Sequence, residues 1–144
     1  MKIDLTDAFA SHVCGREGRR HTTEEYIIQD FGKAFILRAC KYFCRHCGKY
    51  FIHPGRREIA PDGVAWSHRV VHCAIALRRN GVTLENVASA LNRKKVSKPL
   101  WPSTIYEWCL RLKELYNPDE DASLLSKYLH RVDPRSIKEK RNGA

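Results

Sequence analysis

The stretch KYFCRHCGKYF, residues 41–51, decides how the first half of the chain folds. In it, Cys44 and Cys47 are separated by two residues, Gly48 follows them, and aromatic residues stand on both sides. A Cys-x-x-Cys turn followed by glycine lets two thiolates face one metal ion while the backbone reverses tightly. The stretch therefore predicts half of a metal site, and the remaining ligands must come from elsewhere in the chain.

The stretch SHVCGREGRRH, residues 11–21, offers the remaining ligands. We expect Cys14 to be the third ligand, since it is followed by glycine like the second cysteine of the first stretch. The fourth stays open: His12 would form a compressed His-x-Cys turn, His21 would approach from the loop before the first strand, and Cys40 would come from a strand. The predicted zinc ligands are Cys14, Cys44, Cys47 and His12, with His21 and Cys40 as alternatives.

The sequence around these stretches predicts a small β-sheet. Residues 24–43 are dense in β-branched and aromatic side chains, and the turn sequence DFGK, residues 30–33, interrupts them. This pattern predicts a hairpin with strands near 25–30 and 34–43, and the KYFI sequence after Cys47 continues as a third strand. A sheet of this size cannot fold on its core alone, so we expect four zinc ligands to close it.

The composition of the whole chain bounds the class of protein. The chain has 144 residues, of which 43% are hydrophobic and 29% charged, as in one globular domain or two small modules. No apolar run approaches ~18 residues, and the first residues lack the apolar segment of a secretory signal. We therefore expect a cytoplasmic or other intracellular protein without membrane partners, whose six cysteines favour metal binding over disulfides.

The charge of the chain favours a polyanionic partner. Lys and Arg outnumber Asp and Glu by 26 to 16, which gives a formal net charge of +10. Cationic side chains bind nucleic acid by neutralising phosphates and releasing counterions. A solvated basic surface would give the same excess, so the charge alone does not decide between the two.

The spacing of the cysteines has a second interpretation. CKYFCRHC, residues 40–47, also has the Cys-x3-Cys-x2-Cys spacing of radical S-adenosylmethionine enzymes. Those enzymes need a large barrel of alternating strands and helices, which this chain is too short to form. The sequence has no Ser/His/Asp arrangement and no glycine-rich phosphate loop, and the acids at 119–121 are predicted to lie in a solvated loop. We therefore expect no enzymatic activity.

Three segments of the second half have helical periodicity. Residues 63–81 carry one apolar stripe, with Cys73 in the core and His72 on the surface. Residues 82–92 form a short second helix that Thr83 can cap, and residues 102–116 form a third. Three helices with a basic connection before the third fit a helix-turn-helix, although any small helical bundle with a charged loop would share these features.

The predicted DNA contacts lie around this third helix and before it. Cations would bind phosphates, and side chains near the start of the third helix would reach base edges. The predicted phosphate contacts are Arg56, Arg57, Arg78, Arg79, Arg93, Lys94, Lys95 and Lys98, and the predicted base contacts are Ser103, Thr104, Glu107 and Arg111.

Two parts of the sequence together resemble one family. YFCRHCGKYF resembles the second knuckle of the zinc ribbons that open many insertion-sequence transposases, and PSTIYEWCLRL resembles the third helix of their helix-turn-helix. The resemblance covers roughly residues 11–116. The sequence differs from the family pattern in three respects. Ser11 occupies a cysteine position of the first knuckle, residues 93–101 lengthen the turn between the second and third helices, and the catalytic domain is absent. The resemblance implies a sequence-specific double-stranded DNA-binding protein with a structural zinc, acting as a transcriptional regulator or as a detached recognition module of a transposase.

The predicted fold class follows from these segments. It is α+β, with a small three-stranded zinc ribbon followed by a three-helix helix-turn-helix module. Residues 1–53 form the ribbon, 54–63 a linker, 64–116 the helical module, and 117–144 a short helix with a basic flexible tail.

Two further expectations concern partners. Recognition modules often pair on palindromic sites, which allows a homodimer. The alternative function is a zinc-ribbon module that binds RNA or another protein, and exposed aromatic residues on the sheet at Tyr42, Tyr50 and Phe51 would favour it.

Overall fold

The computed structural model describes residues 2–94, 96 and 98–129 of the chain. The chain divides into two compact units, one made of residues 1–29 and 34–67 and the other of residues 30–33 and 68–144. We describe each unit by itself. Lys95 and the end of the predicted basic tail, from residue 130 onward, lie outside the described residues. Among the residues that are described, no helix is long and apolar enough to cross a membrane.

The first unit, here called the strand unit, contains one mixed sheet. The elements are β1 Lys2–Leu5, β2 Phe9–Ser11, β3 Glu17–Gln29, β4 Ala34–Cys44, β5 Lys49–Ile52 and a short helix α1, Arg56–Ile59. The sheet order is β1-β4-β3-β2, and β5 pairs with the part of β4 that β1 leaves free. The β1–β4 pair is parallel and the other pairs are antiparallel.

The predicted three-stranded ribbon with a three-helix module is wrong. The chain is α+β, but its sheet has five strands, and five helices are present among the described residues. The sequence pattern did not predict β1 and β2, because strands this short have too few residues for an alternation of apolar and polar side chains to be recognised. It also missed the first half of β3, where residues 19–25 are exposed on both faces and only backbone pairing defines the strand.

The strand unit buries two small cores on opposite faces of β4. Near the start of β4, odd-numbered residues such as Leu37 pack with Ile28 in the first core. Near its end, Cys40 and Tyr42 pack with Ala10 in the second core, and Phe51 covers them. Successive strand residues point to opposite faces, so the buried face changes along β4. The sheet pairing shifts register between residues 20 and 22, in the same part of the sheet.

The second unit, here called the helical unit, has four helices in its described part. They are α2 His68–Arg79, α3 Leu84–Arg93, α4 Pro102–Arg111 and α5 Asp121–Tyr128. Thr83 caps α3 by accepting from the backbone N–H of Asn86, as predicted, and Pro102 is the first residue of α4. The prediction of a single stripe on α2 is wrong, because every residue from Val70 to Leu77 is buried. Since α2 contacts α3, α4 and α5, it is the central helix of this unit.

A buried charge network joins α5 to α2. Asp121 is 6% exposed, and its carboxylate accepts from His72 Nε2 at 2.9 Å and from Arg79 at 3.1 Å. Arg79 also donates to the backbone carbonyls of Lys113 and Tyr116. The predictions of a surface His72 and of a solvated Asp121 are therefore wrong. The two side chains are buried together because each supplies the polar partner that the other needs.

Candidate functional site: a cysteine and histidine cluster

Four side chains of the strand unit form a cluster that could hold a metal ion. The ligand atoms of His12, Cys14, Cys44 and Cys47 all lie within 4.8 Å of one another. His12 Nδ1 lies 3.2 Å from Cys14 Sγ, which in turn lies 3.6 Å from Cys44 Sγ. Tetrahedral zinc with Zn–S bonds of ~2.3 Å holds its sulfur ligands about 3.8 Å apart. The donor set and its spacing therefore fit a closed four-ligand site.

The first half of the cluster is a turn between β4 and β5. Cys44 is the last residue of β4 and is buried, and Cys47 lies two residues before β5. The backbone N–H of Gly48 donates to the carbonyl of Cys44 at 2.8 Å, and Gly48 has a φ of 66°. Glycine adopts a positive φ without steric cost. The turn therefore brings both thiols to one side, as the Cys-x-x-Cys-Gly pattern predicts.

The second half is a turn between β2 and β3. The backbone N–H of His12 donates to the carbonyl of Arg16 at 2.8 Å, and the N–H of Gly15 donates to the carbonyl of His12 at 2.9 Å. Gly15 has a φ of 86°. The turn presents His12 and Cys14 side by side, and the β2–β3–β4 pairing carries both to the end of β4.

The second core supports the histidine of the cluster. The His12 ring packs on Phe51, with ring centroids 4.7 Å apart, and Phe51 stacks on the buried Tyr42 at 5.5 Å. Tyr42 is fixed in turn, because its hydroxyl donates to the carbonyl of Asp7 at 2.6 Å. The three rings, packed one on another, thus orient His12 as a metal ligand. The sequence did not predict this packing, because the alternation of apolar and polar residues marks which residues are buried but not which of them are in contact.

Gly18 leaves the space that Phe51 occupies. A Cβ at this position would lie 2.6 Å from Phe51 Cζ and 3.1 Å from the carbonyl oxygen of Phe43. Real Cβ atoms do not approach other atoms that closely, so a side chain here must displace the ring on which His12 rests. Gly18 therefore leaves room for the ring that packs against both the second core and His12.

We expect Gly18→Ala to destabilise the strand unit by roughly 1–3 kcal/mol, the usual cost of overpacking a core. We also expect it to weaken metal binding, since the shift of Phe51 moves His12. Chemical denaturation and a zinc competition titration measure the two effects. Ser11→Ala, at an exposed position of β2, is the control. A Gly18→Ala protein that matched it in both measurements would contradict this role.

The thiols of the cluster influence each other's protonation. The backbone N–H of Cys47 donates to the Cys44 sulfur and lowers the pKa of that thiol. The pKa of Cys47 is raised to about 11, first by its hydrogen bond with Cys14. Sulfurs this close cannot all be thiolates without a neutralising cation. A metal dication would supply that charge and displace the shared protons.

The other two ligand candidates lie outside the cluster. The His21 ring packs on the Tyr50 ring, 5.0 Å away between centroids. Cys40 is buried in the second core, where its sulfur lies 3.2 Å from Thr23 Oγ1. The structure thus brings His12 to the cluster. The backbone turn that positions His12 could not be predicted from the spacing of the cysteines, because that spacing says nothing about the residues of the turn.

The predicted phosphate contacts differ in their surroundings. Arg56 is buried in the strand unit, where it donates to the backbone carbonyls of Pro61 and Val64. Arg57 donates to the carboxylate of Asp62.

In the helical unit, Arg79 is held by the buried network, while Arg78 is exposed and donates to the carbonyl of Val82 at 3.2 Å. Arg93 and Lys98 are exposed, and Lys94 is half-buried.

The predicted base contacts lie on α4. Ser103, Glu107 and Arg111 are exposed, and Thr104 is half-buried. The three exposed residues recur every four positions, which places them on one face of the helix. That face is turned to solvent, while Ile105 and Trp108 are buried.

No protein-family model, curated protein or solved structure gives a significant match to this chain.

Proposed function

We propose that the cluster holds a structural Zn²⁺ ion. Three cysteines and one histidine from the chain fill all four positions of a tetrahedral site, so no position remains for a substrate or a catalytic water. The second core beside the cluster is small, with three buried residues and Phe51 packed against them. Zinc bound by His12, Cys14, Cys44 and Cys47 would supply stability that this core lacks.

We also propose that the protein binds double-stranded DNA through the helical unit. The observation that carries this proposal is the exposed polar face of α4, with Ser103, Glu107 and Arg111, in a chain of net charge +10. A helix fits the major groove, where arginine pairs with guanine and glutamate accepts from cytosine. Arg93 and Lys98, exposed on and after α3, would bind phosphates. The protein would act as a transcriptional regulator or as a detached recognition module of a transposase, as the resemblance implies.

A charge-reversal pair tests the DNA proposal. We expect Arg93→Glu with Lys98→Glu to weaken binding to a duplex and to lower its salt slope by about 2, because each lost phosphate contact removes about one released counterion. Fluorescence anisotropy against salt concentration measures both quantities. The duplex is first selected from a random-sequence library, and an enriched motif is the expected result of that selection.

The matched control is Lys113→Glu with Lys127→Glu, which makes the same charge change at other exposed positions of the helical unit. We expect it to lower the slope far less. Equal slopes for the two double variants would contradict a localised interface, and a library without any enriched motif would contradict sequence-specific recognition. RNA of the same sequence that competes as well as the duplex would favour the RNA-binding alternative.

A further inference from the structure

One row of side chains crosses four strands of the sheet. Phe9 on β2 pairs with Arg19 on β3, Arg19 pairs with Phe43 on β4, and Phe43 pairs with Tyr50 on β5. Directly paired residues of antiparallel strands point to the same face. The four residues, here called the aromatic row, therefore lie on one face of the sheet, opposite the second core.

The aromatic row is open to solvent although it is largely apolar. Phe9 is 56% exposed and Tyr50 is 54% exposed. The rings of Phe43 and Tyr50 lie 4.9 Å apart between centroids. Exposed aromatic rings set side by side across strands contribute little to a core. They form a flat surface on which other planar groups can stack.

The groove along the aromatic row is basic. It has a volume of about 860 Å³, and it is lined by Phe9, Phe43, Arg16, Arg19, Arg45, His46 and the single acid Glu17. Tyr50 is outside this lining, and its ring contacts that of Phe43. The arginines and Glu17 are exposed, so their charges face whatever occupies the groove. The three arginines and one glutamate give the lining of the groove a net charge of about +2, which favours the binding of a polyanion.

We propose that the aromatic row binds an unpaired nucleic-acid strand. Bases would stack on Phe9, Phe43 and Tyr50, and phosphates would contact the arginines between and beside them. Single strands are bound in this way because every base has a face that can stack and every linkage carries a charge. A duplex keeps its bases stacked inside the helix, so the exposed rings would find no partner on it.

This site is separate from the proposed duplex interface. The aromatic row belongs to the strand unit, whereas Arg93, Lys98 and the exposed face of α4 belong to the helical unit. Neither proposal requires the other, and variants in the two units separate them.

Titration of labelled single-stranded oligonucleotides of twelve nucleotides with the zinc-loaded protein tests whether the aromatic row binds an unpaired strand. One arm uses single-stranded DNA and the other single-stranded RNA, since stacking and phosphate contacts are common to both. We expect binding in at least one arm, and we expect Phe9→Ala to weaken it about tenfold, a typical loss for removing one stacked base. Tyr50→Phe keeps the ring and should bind like the wild type, while Tyr50→Ala should not.

Ile27→Ala is the matched control, because Ile27 is a large exposed side chain on β3 that lies outside the aromatic row. We expect it to leave binding unchanged. Equal affinities for Phe9→Ala and Ile27→Ala, or no binding in either arm, would overturn the proposal. So would a duplex of the same sequence that bound as well as the single strands and lost affinity equally with Phe9→Ala.

The two proposals fail in different ways. Arg93→Glu with Lys98→Glu should keep single-strand binding, and Phe9→Ala should keep duplex binding. If Phe9→Ala abolished both while zinc content stayed at one ion per chain, the separate single-strand site would be contradicted.

Discussion

We expect the replacement of Cys44 with serine to abolish tight zinc binding and to unfold the part of the strand unit around the second core. Cys44 is fully buried, and its sulfur lies 3.6 Å from that of Cys14. A hydroxyl is a far poorer ligand than a thiolate, and the loss of one ligand breaks the closed set. Structural zinc contributes apparent folding energies of about 10–16 kcal/mol in zinc-finger peptides, more than a small core can replace. We therefore expect the second core and the β4–β5 pair to be lost together.

The zinc content per chain and amide hydrogen exchange, resolved by unit, measure this effect. Cys109→Ser is the control, because Cys109 is a half-buried thiol on α4 outside the cluster. We expect it to keep one zinc ion per chain and a protected sheet. Chelation of zinc from the wild type should reproduce the exchange pattern of Cys44→Ser. A Cys44→Ser protein with one zinc ion and native exchange protection would refute the structural role of the cluster.

Replacing Asp121 with alanine will destabilise the helical unit by roughly 3 kcal/mol or more. Asp121 is 6% exposed, and its carboxylate is the acceptor for both His72 and Arg79. Its removal leaves Arg79, whose side chain is 24% exposed, without its counter-charge and the buried His72 without its acceptor. Breaking one partner of a buried ion pair costs far more than an exposed pair contributes.

Amide hydrogen exchange of the helical unit, measured against denaturant concentration, reports this change. Asp119→Ala, at an exposed position two residues earlier, is the matched control, and we expect it to cost less than about 0.5 kcal/mol. His72→Gln keeps a hydrogen-bond donor and should cost less than Asp121→Ala. Equal stability of the two aspartate variants would show that the network contributes nothing to folding.

The sequence predicted the long and regular elements of the fold best. The hairpin of β3 and β4 and the helices α2, α3 and α4 lie near their predicted positions, because long runs of apolar residues bounded by turn and cap residues mark where such elements begin and end. The parallel pairing of Lys2–Leu5 with β4 was not predictable, since nothing local specifies a partner 34 residues away. The burial of Asp121 was also missed, because a run of acids resembles a solvated loop until the opposing Arg79 is located in space.

The sequence predicted the chemistry of the metal cluster, but it did not predict the whole of its geometry. The Cys-x-x-Cys-Gly pattern marked Cys44 and Cys47, and a glycine after Cys14 marked the third cysteine. The choice among His12, His21 and Cys40 depends on which side of each strand faces the cluster, and the register shift next to His21 changes that side. The aromatic row was missed for a similar reason, since its members are neighbours only through strand pairing.

X-ray absorption at the zinc edge, on the protein as purified and on its His12→Ala and His21→Ala variants, tests the central claim most directly. The proposed site predicts one zinc ion per chain with three sulfur ligands at about 2.3 Å and one nitrogen ligand at about 2.0 Å. The nitrogen ligand should disappear in His12→Ala and remain in His21→Ala. A shell of four sulfurs, a shell with two nitrogens, or a nitrogen that persists in His12→Ala would contradict the account.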